Sequence, residues 1–163
     1  MSEQNLGRIL GIAVRTAKEG PMREVATATA TAGAGIAGDL RTSLNRGITL
    51  ISAADWREAT DSLSVSLPWH TRRANVLVEG LTMADLIGHP VRFGQITLDI
   101  CAETLPCELM DRLQPGLWNA LRPNCRAGVC GRVLTGGQFA VGDTVEVLTR
   151  GAPGCQPGHV EQQ

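Results

Sequence analysis

Glycine and proline interrupt this sequence so often that no segment keeps one hydrophobic period for more than about a dozen residues. Glycine alone is 19 of 163 residues. What survives between the breaks is mostly short and β-branched. RILGIAVRT (8–16), GITLIS (47–52), NVLVEG (75–80) and DTVEVLT (143–149) suit strands. REVATATATAG (23–33) alternates Ala and Thr with period two and reads as one more strand. VRFGQITLDICAE (91–103) reads as two strands bent or joined at Gly94, and AGVCGRVL (127–134) as another. TGGQFAVG, between that strand and the last, reads as a Gly-rich turn region.

Helical pattern is scarce. AADWREATDSL (53–63) is one candidate, with Ser52 as its N-cap. TMADLIGHP (82–90) reads as a helical turn ended by Gly88 and Pro90. CELMDRL (107–113) and PGLWNAL (115–121) read as short helices. Strands do not alternate with helices long enough to cross over a parallel sheet. The expected fold class is therefore mainly β, a closed or nearly closed β-barrel with a few short helices. The length suits one domain over 1–150, with 151–163 as a flexible tail.

The formal net charge is -1, which calls for neither nucleic acid nor an acidic membrane surface as partner. The start, MSEQNLGRIL, lacks a signal pattern, and no apolar run approaches the roughly 20 residues of a membrane helix. A cytoplasmic location is expected. Five cysteines cannot all pair within one chain, and in a reducing compartment most are expected as free thiols.

GAGIAG (33–38) matches G-x-G-x-x-G and follows a strand. The dinucleotide fingerprint needs a helix to start inside the motif. Only DLRTSLNRG separates it from the next strand, with no apolar face at helical spacing, so a flexible connection to Asp39 is expected. Cys101-x5-Cys107 and Cys125-x4-Cys130 fit structural zinc knuckles poorly. Cys101 and Cys130 lie in apolar runs where buried free cysteine is common. Ser-His-Asp ordering, H-E-x-x-H and a phosphate-binding P-loop are absent from the sequence.

Cys107, in TLPCELMDR (104–112), differs from the other cysteines. Pro106 halts the strand and presets a helix start. A thiol in a first helical turn faces unpaired N–H groups that favour its thiolate. Packing, metal ligation and nucleophilic sulfur chemistry all remain open for it. Arginines gather at turns: Arg41 and Arg46, Arg72 and Arg73, Arg122 and Arg126. They read either as a solvated surface set or as a convergent anion site. His70, beside the Arg72–Arg73 pair, reads as a surface residue.

Four pieces in order, GDLRTSLNRGITLIS, TRRANVLVEGL, IGHPVRFGQITLDICAETLPC and RAGVCGRVLTGGQFAVGDTVEVL, resemble the MOSC domain, named for the C-terminal domain of molybdenum cofactor sulfurase. The resemblance runs from Gly38 to Leu148 and implies a MOSC-like β-barrel, agreeing with the strand pattern. It implies that Cys107 is the family's reactive residue. That cysteine either carries sulfur received from a pyridoxal-phosphate-dependent cysteine desulfurase or ligates molybdenum of the molybdenum cofactor. The second role belongs to members that reduce N-hydroxylated compounds with a separate electron donor. Arg72, Arg73, Asn75, Arg126 and Arg41 would then hold the cofactor's phosphate. The family's TRRN reads TRRAN here, and its RGG reads RAG, so that Ala127 adds a Cβ near the expected phosphate. A non-catalytic barrel binding a small anion or a partner protein, with Cys107 structural, is the alternative.

Overall fold

The structure is a computed structural model describing residues 6–18, 20–40 and 47–149, with the backbone alone of 158–159. Eleven strands appear among these residues: β1 (Leu6–Arg15), β2 (Met22–Val25), β3 (Thr27–Ala30), β4 (Ile48–Ser52), β5 (Val76–Glu79), β6 (Pro90–Phe93), β7 (Ile96–Glu103), β8 (Val129–Thr135), β9 (Gly137–Ala140), β10 (Thr144–Val147) and β11 (Gly158–His159). Three α-helices accompany them: α1 (Ala53–Ser62), α2 (Glu108–Leu113) and α3 (Leu117–Leu121). Short 3-10 turns span Trp69–Arg72, Met83–Leu86 and Pro123–Cys125.

Seven strands close a barrel in the order β1, β10, β6, β7, β8, β4, β5 and back to β1. All these pairings are antiparallel except β4 with β5. Closure comes where Leu6, Gly7 and Arg8 meet Glu146, Val145 and Thr144. Gly7 is needed there, since a Cβ would lie 2.6 Å from the Glu79 carbonyl oxygen. Closure removes the exposed edges that would invite strand pairing with other chains.

Side-chain alternation divides the apolar residues into two cores. In β4, Ile48 and Leu50 join Ile9, Val76, Phe93, Leu98 and Val129 in the barrel core. Ile51 points the other way and packs with Trp56, Ala59, Met110, Leu117 and Leu121 of the helices. Burial on both faces leaves β4 without a polar face. Ser52 ends β4 and accepts a hydrogen bond from the Asp55 N–H (3.2 Å), so the predicted N-cap of α1 is present.

Several expectations are corrected. The stretch 23–33 is not one strand. It breaks at Ala26, where β2 leaves β1 and β3 turns to pair with β9. TGGQFAVG is not only a turn, because Gly137–Ala140 form β9 opposite Thr27–Ala30. Pro90 opens β6 instead of ending the preceding turn. The 33–38 connection is hydrogen-bonded, not loose: the N–H groups of Gly33 and Ala37 donate to the carbonyls of Val133 and Thr29. It leads to Asp39, whose carboxylate accepts from the backbone and guanidinium of Arg15. Cys101 is the extra residue where the β7–β8 register shifts. It is not a free thiol but is disulfide-bonded, and the other described cysteines, Cys107, Cys125 and Cys130, carry no disulfide. The tail 151–163, apart from the β11 backbone, lies outside the described residues. Among the described residues no helix is long and apolar enough to cross a membrane.

Candidate functional site

Past Glu103 the chain leaves β7 and runs across the helical layer, fastened at each step. The Thr104 N–H donates to the Gly128 carbonyl at 2.9 Å. Its hydroxyl donates to the Ala127 carbonyl at 3.0 Å. The Arg72 guanidinium donates from Nε to that same carbonyl (2.8 Å) and from Nη2 to the Thr104 hydroxyl (3.3 Å). Two residues on, the Trp118 indole N–H donates to the Pro106 carbonyl at 3.1 Å. Cys107 follows, half-buried with its thiol free.

Cys107 is not inside the first turn, as the sequence suggests, but at the N-cap of α2. Its backbone is extended (φ -111, ψ 175), and its side chain makes no capping hydrogen bond. Its carbonyl accepts from the Met110 N–H (3.0 Å), which starts the helix. A Ser or Asp at this position would turn its oxygen onto the helix N–H groups. A sulfur atom does this poorly, so the thiol is held by its backbone without being spent on the fold.

Of the residues the resemblance names, the described ones, Arg72, Arg73, Asn75 and Arg126, hydrogen-bond to the chain's own groups. Arg72 is buried (5% exposed) and clamps the Thr104 and Ala127 segments together. Arg73 takes a left-handed backbone (φ 68) and swings the opposite way, donating to the carbonyls of Gly20 and Ala17. Ala74, the added residue of TRRAN, is fully buried. Asn75 is fully buried, accepting from the Thr49 N–H (3.0 Å) and donating to the Ala13 carbonyl (3.2 Å). It ties β1 to β4. Arg126 donates to the Ala120 carbonyl (3.1 Å) and stands near Asp55. Arg41 and Arg46 lie outside the described residues. Ala127 packs in the helical core. The strict glycine demand falls on Gly128, whose φ is +110 and whose added Cβ would lie 2.3 Å from the Leu50 carbonyl oxygen.

Two features beside this segment carry no motif in the sequence. Asn124 and Cys125 are both left-handed (φ 56 and 57). The turn they make brings the Cys125 thiol near Glu103. Burial, then the negative charges of Glu103 and Asp55, hold that thiol's pKa above its ordinary value. Asp55 is itself raised, by burial first, with Arg126 opposing and Glu58 adding to the shift. The second feature is Trp118. Its backbone N–H is taken by Asp111 (2.9 Å), and the Arg122 guanidinium carbon lies 4.6 Å from its ring centroid. Arg122 was visible only as one of several turn arginines, and nothing in PGLWNAL singles out Trp118. His70 is not simply a free surface residue: it is partly buried, 3.8 Å from Glu24. Among the described residues no group of three or more His, Cys, Asp or Glu side chains could hold a metal ion.

Comparison with known proteins agrees with this architecture. The YuaD protein of Bacillus subtilis superposes with a TM-score of 0.73 at 22% identity, covering 87% of this chain and 95% of that one. YiiM of Geobacillus stearothermophilus gives 0.72 at 17% identity, with 92% and 79% covered. YiiM of Escherichia coli gives 0.68 at 16%, with 90% and 72% covered. No curated protein matches in sequence. The family model of the MOSC domain matches residues 37–146. A seven-stranded closed barrel carrying that match over two thirds of its length belongs to the MOSC domain family.

Proposed function

We propose that this protein is a cytoplasmic sulfur carrier that works through Cys107. The observation that supports the reading is the thiol itself. It sits at the N-cap of α2, four residues past the end of β7, free, half-buried and without a capping bond, while the peptide units on both sides of it are held. The Cys107 thiolate attacks the terminal sulfur of a donor persulfide. The donor's S–S bond breaks, the donor leaves as a thiolate, and Cys107 becomes the persulfide. The donor fitting this reading is a pyridoxal-phosphate-dependent cysteine desulfurase, a separate protein. No net oxidation occurs, so the transfer needs no electron donor.

The molybdenum cofactor, with which the family is associated, is the other use of such a cysteine. Three of the residues expected to hold its phosphate are engaged elsewhere. Arg72 and Asn75 are buried and bonded to the chain's own groups, and Arg73 faces the opposite way. These engagements favour the carrier reading over cofactor-dependent reduction of N-hydroxylated compounds.

The test is native mass spectrometry with metal analysis on protein from a host that makes molybdenum cofactor, then incubation with a desulfurase and cysteine. The expected result is an apo mass that gains one sulfur atom, absent from the Cys107→Ala variant, which keeps the wild-type melting temperature. A pterin mass increment with stoichiometric molybdenum would overturn the carrier reading. A protein gaining neither, with Cys107→Ala failing to fold, would leave a binding module with a structural cysteine.

A further inference from the structure

Resting on the carrier reading of Cys107, we propose that Arg122 selects its substrate, favouring a sulfur donor that presents a carboxylate or similar anion beside the reacting sulfur. Three contacts build the arrangement. The Trp118 indole N–H is anchored on the carbonyl of Pro106, whose peptide bond leads directly into Cys107. The backbone N–H of Trp118 is anchored on Asp111 of α2. The Arg122 guanidinium lies over the Trp118 ring at 4.6 Å.

A long arginine side chain on a surface ordinarily samples many positions. Stacking on an aromatic face restricts it and leaves its N–H edges open for a planar anion. Because the ring's position is fixed relative to Pro106, the charge is fixed relative to Cys107. The contacts in series keep it within roughly 10 Å of the Pro106 carbonyl, about one Debye length at 0.1 M salt. Arg122 is exposed, so an incoming anion can reach it without reorganisation. It also differs from the buried Arg72, which has no surface to offer. Glu108 and Asp111 supply opposite charge on α2, and Arg112 in its last turn offsets part of it.

The chemistry remains thiol exchange: the Cys107 thiolate attacks sulfur, one S–S bond forms, one breaks, and a thiolate leaves. Small disulfides therefore serve as probes. The rate at Cys107, taken as the difference between wild type and Cys107→Ala, is measured with dianionic dithiobis(nitrobenzoate) and with neutral dithiodipyridine. At low ionic strength Arg122→Gln is expected to slow the anionic probe about 3- to 5-fold, the size an unscreened single charge exerts on a dianion at this separation. The neutral probe is unchanged, added salt shrinks the difference, and Arg122→Lys restores most of it. Equal effects on both probes, or none, would overturn the selector role. A Cys107 inert to both probes in wild type would overturn the carrier reading as well, and so separates the two failures.

Discussion

A residue's chemistry here follows from what its neighbours leave unused. Cys125 and Cys107 are both half-buried free thiols, but burial, then the negative charges of Glu103 and Asp55, keep the proton on Cys125. Iodoacetamide at pH 7 should therefore label Cys107 well before Cys125, and Cys125 should respond only as the pH climbs past the ordinary thiol range. Peptide mapping across a pH series checks this; labelling of Cys125 first at neutral pH would contradict it. The linkage has a definite sign. A thiol whose folded pKa is raised keeps its proton while the unfolded chain loses its own, so folding stability falls as pH rises through the alkaline thiol range. Cys125→Ser should flatten that fall. Arg72 carries a different prediction. Arg72→Met removes two buried donors, leaving the Thr104 hydroxyl and Ala127 carbonyl bonded only to each other, and should cost about 1.5–3 kcal/mol by denaturant unfolding. Reading the sequence finds these residue types but not their directions. TRRAN looks like a cluster because adjacent arginines share a name. The left-handed Arg73 then sends its side chain to the other side of the chain, and no propensity announces that turn.

Among the elements, those set by local pattern were legible and those set by distant partners were not. Ser52 and the run after it give α1 with its cap, and Gly94 (φ +57) marks the corner between β6 and β7. By contrast, β3 and β9 exist because Thr27–Ala30 pairs with Gly137–Ala140 far along the chain. Each alone reads as part of something else: β3 as the end of a longer alternating strand, β9 as a turn, because Gly136 and Gly137 open it. The segment between Cys125 and β8 is the element on which the site depends. Its Gly128 backbone lies against Leu50 while its carbonyl receives the Thr104 N–H. Gly128→Ala would force a left-handed alanine into the β4 backbone, and the strand or the loop must shift. The expected outcome is loss of several °C in melting temperature together with a changed alkylation rate at Cys107, since Thr104 and Cys107 move with that loop. An unchanged rate in a destabilised variant would show that the thiol's position does not depend on the loop.

Across the whole molecule, the closed barrel was legible as a class while the pairing that closes it was not. Short β-branched strands with few helices exclude a parallel α/β sheet. That β1 completes the ring by pairing with both β5 and β10 is a long-range fact with no local signature. The division of labour follows from the two cores. The barrel core is sealed within the ring, whereas Cys107 belongs to the outer helical layer, attached through Trp118, Thr104 and Arg72. Substitutions in the two layers should therefore separate stability from chemistry. Phe93 and Phe139 meet edge to face at 5.2 Å inside the barrel core. Phe93→Ala should cost about 3–5 kcal/mol in denaturant unfolding, with a single transition, because the ring cannot open one strand pair without exposing its interior. Below that transition the neutral-probe reaction rate of Cys107 should stay at the wild-type value. The reverse pattern is expected of Trp118→Phe, which keeps a ring for Arg122 but loses the N–H on Pro106: small change in stability, altered rate at Cys107. If Phe93→Ala instead changed the thiol's rate as strongly as Trp118→Phe does, the barrel and the helical layer would be one energetic unit, and the site would be held by the whole ring and not by its three local bonds.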